Sequence, residues 1–126
     1  GYYESLRLMR ESDWLIHVDA YFEELSSGGS IFFAGKLADY MGAKRPILAL
    51  TGKGSPADEI ISKYGGIRLD SSDIAKIADI FEEILVANLK PVINEKYRAV
   101  YDARNVAQEF DKRIEQLCGI TVFGFY

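Results

Sequence analysis

The chain has 126 residues and a formal net charge of −4, and 48% of its residues are hydrophobic. This composition is typical of a globular domain and excludes a disordered or fibrous chain. The sequence has no basic stripe, which excludes the phosphate-tracking surface of a nucleic-acid binder. The chain begins with Gly1 inside a predicted helix, so we expect it to be a piece of a longer protein.

Apolar spacing predicts helices that alternate with short strands. The run Trp14–Val18 is short, largely apolar and rich in β-branched and aromatic residues, so we expect a strand that is buried on both faces. Ser55, Pro56 and Gly65 have the cap, first-turn and stop chemistry of a helix. In chain order the predicted elements are a helix at Tyr3–Ser12, a strand at Trp14–Val18, a loop at Ala20–Ser30, a helix at Gly35–Ala43, a strand at Pro46–Leu50, a helix from Ser55 to Gly65, a strand at Ile67–Asp70, a helix from Ser71 or Ser72 to Leu85, and a long helix at Asn94–Cys118.

This alternation of helices and strands predicts an α/β fold with right-handed crossovers. We expect a Rossmann-like three-layer sandwich, with a short parallel sheet of about three to four strands covered by helices. A long C-terminal helix completes the predicted fold.

Ligands of open α/β sheets bind beyond the carboxyl ends of the strands. In this chain those ends lie at Asp19, Thr51–Gly54 and Asp70. The helix that begins near Gly35 and Lys36 adds free amides and a positive charge, which favour an anion. No loop has P-loop spacing and no Gly-x-Gly-x-x-Gly motif is present. Two interpretations stay open, namely a phosphate-bearing ligand and glycines that only form turns.

The segment from Gly35 to Ala49, GKLADYMGAKRPILA, is more specific. It resembles the donor-site segment of family 4 glycosyltransferases with the GT-B fold. In that family a Ser-Lys-Leu-x-Glu/Asp-Tyr pattern leads into a Lys/Arg-Pro-Ile-Leu-Ala strand. The flanking segments Glu4–Ala20 and Gly54–Asp70 are similar to the neighbouring segments of the same family, so the resemblance covers roughly residues 2 to 90.

The resemblance implies that residues 1–126 form part of the C-terminal, nucleotide-sugar-binding lobe of a glycosyltransferase. The full enzyme would transfer a hexose from a nucleotide diphosphate sugar to a glycan or a lipid-linked acceptor, as in bacterial polysaccharide biosynthesis. It would need no cofactor and no metal ion. The acceptor-binding domain and a catalytic Arg/Lys pair would lie upstream, so no catalytic residue is assigned and the lobe alone is expected to be inactive.

The same resemblance implies the roles of individual residues. Asp39 would accept hydrogen bonds from the ribose hydroxyls of the nucleotide. Ile31 stands where the family has a glutamate that contacts the donor sugar, so that contact is not carried over. The implied donor-binding residues are Phe33, Ala34, Gly35, Lys36, Leu37 and Asp39.

Other functions also fit the pattern. One is a nucleotide-sugar epimerase of the same fold. Another is a non-catalytic receiver-like α/β domain, although Asp19 and Asp70 are scattered and no paired aspartates follow the first strand. Asp39 and Lys36 also fit an ordinary solvated surface. His17 fits a structural residue of the core better than an acid or base.

Two expectations concern location and partners. The single cysteine, Cys118, cannot form an internal disulfide, which favours a reducing, cytoplasmic compartment. The full enzyme would associate peripherally with the inner face of the plasma membrane. The apolar face of the last helix and the tail Phe123–Tyr126 are expected to pair copies of the chain.

Overall fold

Three short, mostly aliphatic runs form parallel strands in a computed structural model, which describes residues 1–19 and 35–119. The sheet order is β1-β2-β3, and both neighbouring pairs are parallel. The described part of the chain also contains six helices, so the predicted α/β class is confirmed, with an open sheet consistent with a Rossmann-like sandwich. The strands are β1 Leu15–Val18, β2 Ile47–Leu50 and β3 Ile67–Leu69, and the helices are α1 Tyr2–Glu11, α2 Lys36–Ala43, α3 Pro56–Tyr64, α4 Ile74–Val86, α5 Glu95–Val100 and α6 Ala103–Cys118.

The chain divides into two units, Gly1–Asn94 and a second one that begins at Glu95. The core of the first unit surrounds β2, the central strand. Ile47, Leu48 and Ala49 of this strand are at most 1% exposed. Leu37 and Met41 of α2 and Ile61 and Tyr64 of α3 complete this core with similarly small exposed fractions.

The ends of α3 follow the sequence prediction. Ser55 caps the helix, because its hydroxyl accepts a hydrogen bond from the Asp58 amide at 3.1 Å. Pro56 is the first helical residue, and Gly65 ends the helix in the left-handed region with φ 96°. These local rules are confirmed because the cap chemistry does not depend on distant parts of the chain.

The start of α4 differs from the prediction. Asp73 is the N-cap, and its carboxylate accepts a hydrogen bond from the Lys76 amide at 3.1 Å. Ser72, one of the two predicted caps, instead donates from its hydroxyl to Asp70 Oδ1 at 2.7 Å. The prediction of Ser71 or Ser72 is therefore wrong, because Asp70 takes the Ser72 hydroxyl and leaves the capping position to Asp73.

Strand β1 is buried on one face rather than on both. Leu15 and His17 are buried, whereas Ile16 is 45% and Val18 is 62% exposed. The strand lies at the edge of the three-stranded sheet, and in residues 1–19 and 35–119 only one of its faces is covered. The pattern of the run misleads because its one polar residue, His17, lies on the buried face, whereas the apolar Ile16 and Val18 lie on the exposed face.

The second unit corrects the prediction of one long helix over Asn94–Cys118. It contains α5 and α6 instead, separated at Tyr101 and Asp102. Asp102 has extended backbone angles, and its carboxylate accepts a hydrogen bond from the Arg104 amide at 3.0 Å. Aspartate is among the best N-cap residues, so a new helix start replaces continuous helix at this position.

Several apolar side chains of α6 are exposed to solvent. The exposed fractions are 50% for Val106, 57% for Phe110 and 84% for Leu117. Association of chain copies through this face stays a prediction, and the tail Phe123–Tyr126 lies outside the described residues. None of the helices in the described ranges combines the length and the apolar character needed to cross a bilayer.

Candidate functional site

Helix α2 positions four of the six residues that the sequence assigns to the donor. Gly35 is the N-cap and supplies no side-chain cap, and Lys36 is exposed at the first helical position. Leu37 is 0% exposed, so only its backbone is available to a ligand while its side chain holds the helix in the core. The first amides of a helix lack intrahelical acceptors and favour an anion. Phe33 and Ala34 lie outside the described residues, as does Ile31.

The remaining assigned residue, Asp39, lies one turn further along α2 and is half-buried. Its Oδ1 accepts a hydrogen bond from the Tyr2 hydroxyl of α1 at 2.9 Å. A carboxylate offers about four acceptor positions, so Asp39 retains capacity for the two hydroxyl groups of a ribose. Nearby, the Tyr40 hydroxyl donates to the Ile16 carbonyl at 3.3 Å and ties α2 to β1.

A small cavity adjoins Asp39. Its volume is about 260 Å³, and its lining includes Tyr2, Leu6, Ala38 and Asp39 from α1 and α2. This volume lies near the lower end of the range for small-molecule pockets, about 300 Å³. The cavity thus provides room for part of a ligand beside the carboxylate, not for a whole nucleotide sugar.

A hydrogen-bonded chain of side chains joins the carboxyl ends of β1 and β2. His17 Nε2 lies 2.8 Å from Asp19 Oδ1, and the Thr51 hydroxyl donates to Asp19 Oδ2. Ser55 Oγ lies 2.8 Å from Thr51 Oγ1. Because the single hydroxyl proton of Thr51 goes to Asp19, Ser55 is the donor in this last bond.

The geometry of this polar chain indicates a structural role rather than a catalytic one. His17 is 5%, Thr51 1% and Ser55 6% exposed, so three of its members are buried. Asp19 and Thr51 separate Ser55 from His17, which means that the imidazole is not hydrogen-bonded to the serine as a general base would be to its nucleophile. The structural interpretation of His17 and Asp19 is therefore the one that this arrangement favours.

The Thr51–Gly54 loop uses its polar groups internally. The Gly54 amide donates to Asp58 Oδ2 at 2.7 Å, and Gly54 has a left-handed φ of 77°. Arg68 Nε donates to the Thr51 carbonyl at 3.1 Å and lies 3.8 Å from Asp58 Oδ1. These contacts favour glycines that form turns over a loop that binds phosphate.

Asp70, at the end of β3, also has internal partners. Its Oδ1 accepts hydrogen bonds from the Ser72 hydroxyl and amide, and these bonds lower the pKa of Asp70, with a smaller contribution from Arg68. Asp19 is likewise bonded to His17 and Thr51. Among residues 1–19 and 35–119 there is no cluster of three side chains that would hold a metal ion.

Sequence reasoning missed Tyr2 as the partner of Asp39, and it named Thr51 only as the start of the loop after the second strand, without its bond to Asp19. Tyr2 lies 37 positions from Asp39, and no local pattern links the two residues. The parallel register pairs Val18 with Leu50 and thereby brings Asp19 and Thr51, which the sequence already placed at strand ends, to neighbouring positions.

The Tyr2–Asp39 contact gives a pH-dependent prediction. The hydrogen bond to Asp39 and the repulsion between its carboxylate and a phenolate raise the pKa of Tyr2 above the ordinary 10.0. The phenol therefore donates to Asp39 below pH 10.0, and the bond is lost only as the pH rises through the raised value. We expect Asp39→Asn to lower the pKa of Tyr2, measured by NMR on ¹³C-labelled tyrosine with Tyr2→Phe to assign the signal. An equal pKa of Tyr2 in both proteins would contradict the contact.

Comparison of the chain with protein-family models, curated proteins and solved structures finds no match.

Proposed function

We propose that the chain is the donor-binding lobe of a GT-B glycosyltransferase that transfers a hexose from a nucleotide diphosphate sugar to a glycan or a lipid-linked acceptor. The observation that carries the proposal is the half-buried carboxylate of Asp39. It lies beside a cavity and one turn from the uncapped start of α2. The confirmed α/β class supports the proposal, since ligands of such sheets bind at helix starts near the strand ends.

Asp39 and the first turn of α2 bind different parts of the donor. Asp39 accepts hydrogen bonds from the ribose hydroxyls and thereby orients the nucleotide. The amides near Gly35, Lys36 and Leu37 lie at the positive end of the helix dipole, where a diphosphate is stabilised. The exposed Lys36 ammonium adds a positive charge at the same end.

This arrangement assists the chemical step through the leaving group. As the bond between the sugar and the diphosphate breaks, negative charge develops on the phosphate oxygens. Fixed amides and a lysine that interact more strongly with this charge than with the intact donor lower the barrier. The acceptor domain and further cationic residues of the full protein supply the rest of the site, in the cytoplasm at the inner face of the membrane.

A nucleotide titration of the chain tests the proposal. We expect uridine or guanosine diphosphate to shift the amide signals of residues 35–39, with a dissociation constant near or above about 1 mM because only one lobe is present. Asp39→Ala should weaken binding about tenfold or more, because hydrogen bonds to a charged group are lost.

The matched control is Asp79→Ala, which removes an exposed aspartate from the unrelated helix α4. It should leave the affinity unchanged. Equal affinities of wild type and Asp39→Ala, or no shift with either nucleotide at about 10 mM, would refute the proposed role of Asp39.

A further inference from the structure

A groove lined by four basic residues, called the basic groove below, lies between the C-terminal halves of α1 and α2. Its volume is about 850 Å³. Arg7 and Arg10 line it from α1, and Lys44 and Arg45 line it at the end of α2. Because these helix ends lead into β1 and β2, the groove lies at the amino ends of the strands, whereas the start of α2 lies at the opposite, carboxyl edge.

Four cations and one carboxylate, that of Glu11, line the basic groove, so it is locally positive in a chain whose net charge is −4. Arg7 is paired with Glu4 at 2.6 Å and with Glu11 at 3.8 Å. The other cations of the groove are Arg10, Lys44 and Arg45. In the described ranges 1–19 and 35–119 they form no ion pair with a carboxylate. This charge distribution favours an anionic ligand.

Arg45 is held in place by the backbone of α1. Its Nε donates to the Arg10 carbonyl at 2.8 Å, and its Nη2 donates to the same oxygen. The planar guanidinium has further N–H donors, so it is immobilised without being saturated. An immobilised guanidinium loses little conformational entropy when it binds an anion.

Lys44 adds a second argument. It is the C-cap of α2 and has a left-handed backbone with φ 56°, a conformation that glycine or asparagine adopts more readily. Attraction to the helix dipole explains a cation near this end but does not require one at the left-handed position. Lys44 thus adds a cation to the groove at a position where the backbone conformation favours glycine or asparagine.

We propose that the basic groove binds a phosphate-bearing anion, either free in solution or as the headgroup of a lipid. Guanidinium groups match the geometry of phosphate oxygens and bind them by paired hydrogen bonds, and lysine adds a compact charge. The apolar parts of Tyr3 and Leu6 also line the groove and contact the uncharged part of the ligand. The groove adjoins the cavity beside Asp39, because the two share the lining residues Leu6, Arg10, Gly42 and Ala43. Its cations Lys44 and Arg45 lie at the end of α2 opposite to Lys36, and phosphate binding by them does not require that Asp39 binds a ribose.

Gly42 provides a test that leaves the fold intact. It lies in α2, lines the groove, and an added Cβ there meets no atom within 4 Å. Gly42→Ala and Gly42→Glu both remove a helix-weakening glycine, but only glutamate puts a carboxylate among the cations. We expect Gly42→Glu to bind inorganic pyrophosphate about tenfold or more weakly than Gly42→Ala, as measured from the amide shifts of residues 42–45.

A second pair of variants separates the groove from general charge attraction. Lys44→Asn keeps a residue that tolerates the left-handed backbone, and we expect it to lose about tenfold in pyrophosphate affinity. Lys76→Gln removes an equal charge from the exposed surface of α4 and should have no effect. Equal losses in the two variants, or equal binding by Gly42→Glu and Gly42→Ala, would overturn the proposal.

Vesicles distinguish the two sources of phosphate. A lipid headgroup is supported if the protein sediments with phosphatidic acid vesicles but not with phosphatidylcholine vesicles. Gly42→Glu should then abolish this sedimentation. Pyrophosphate binding without vesicle binding supports a free ligand. Absence of both pyrophosphate and vesicle binding would overturn the proposal in either form. The role of Asp39 is decided by a different result, namely whether nucleotide binding depends on the Asp39 carboxylate.

Discussion

Replacement of Gly65 by alanine is expected to destabilise the first unit by about 3 kcal/mol or more. Gly65 has φ 96°, and a Cβ at this position would lie 2.2 Å from the Val92 carbonyl oxygen. Next to this contact, the Asn94 amide donates to the Tyr64 carbonyl at 2.8 Å, so the approaching segment is held in place by the backbone. The variant therefore combines an unfavourable backbone conformation with a backbone clash.

Gly54→Ala is the matched control for this effect. Gly54 also has a positive φ, 77°, but no atom lies within 4 Å of its added Cβ. Gly54→Ala should therefore lower the free energy of unfolding by about 1–2 kcal/mol, which is the cost of the left-handed backbone alone. Urea denaturation of both variants measures the difference, and equal losses would show that the segment around Val92 yields to the new methyl group.

Replacement of Thr51 by valine is expected to cost about 2–3 kcal/mol of stability, although the side chains are nearly equal in size. Thr51 is 1% exposed and holds the middle of the hydrogen-bonded chain between Asp19 and Ser55. Without its hydroxyl, the Asp19 carboxylate keeps, among the residues that the structure describes, only its bond to His17, and the Ser55 hydroxyl loses Thr51 as its acceptor. The Asp19 carboxylate and the Ser55 hydroxyl have then each lost a hydrogen-bond partner in a largely buried environment.

Thr51→Ser separates this hydrogen-bonding effect from packing. Serine keeps the hydroxyl and removes only a methyl group, so it should retain more stability than valine, about 1 kcal/mol below wild type. Thermal or urea unfolding of the two variants gives the comparison. If valine proves as stable as serine, the hydrogen-bonded chain makes no net contribution to folding.

The sequence predicts well those features that depend on neighbouring residues. The three strands and the cap of α3 follow from local patterns, since Ser55, Pro56 and Gly65 each act within a few residues. The same logic was available for Asp102, whose cap divides the predicted long helix, but a regular apolar spacing across it favoured one helix. Competition between two valid local signals, periodicity and capping, caused this error.

Features that depend on distant parts of the chain were not predictable in the same way. The single buried face of β1 depends on which elements cover the sheet, and the strand's own composition does not record this. The bond between Tyr2 and Asp39 and the basic groove both require α1 to lie beside α2. Sequence patterns identify these helices individually but not which residues meet across them.

Titration of wild type and Asp39→Ala with uridine diphosphate and with its 2′,3′-dideoxy analogue tests whether Asp39 holds the ribose of a nucleotide diphosphate, as we propose. We expect wild type to prefer the ribonucleotide by about tenfold, because the analogue cannot donate to the carboxylate, and we expect Asp39→Ala to bind both equally. A preference that survives in Asp39→Ala, or equal binding of the two nucleotides to wild type, would show that Asp39 does not hold the ribose.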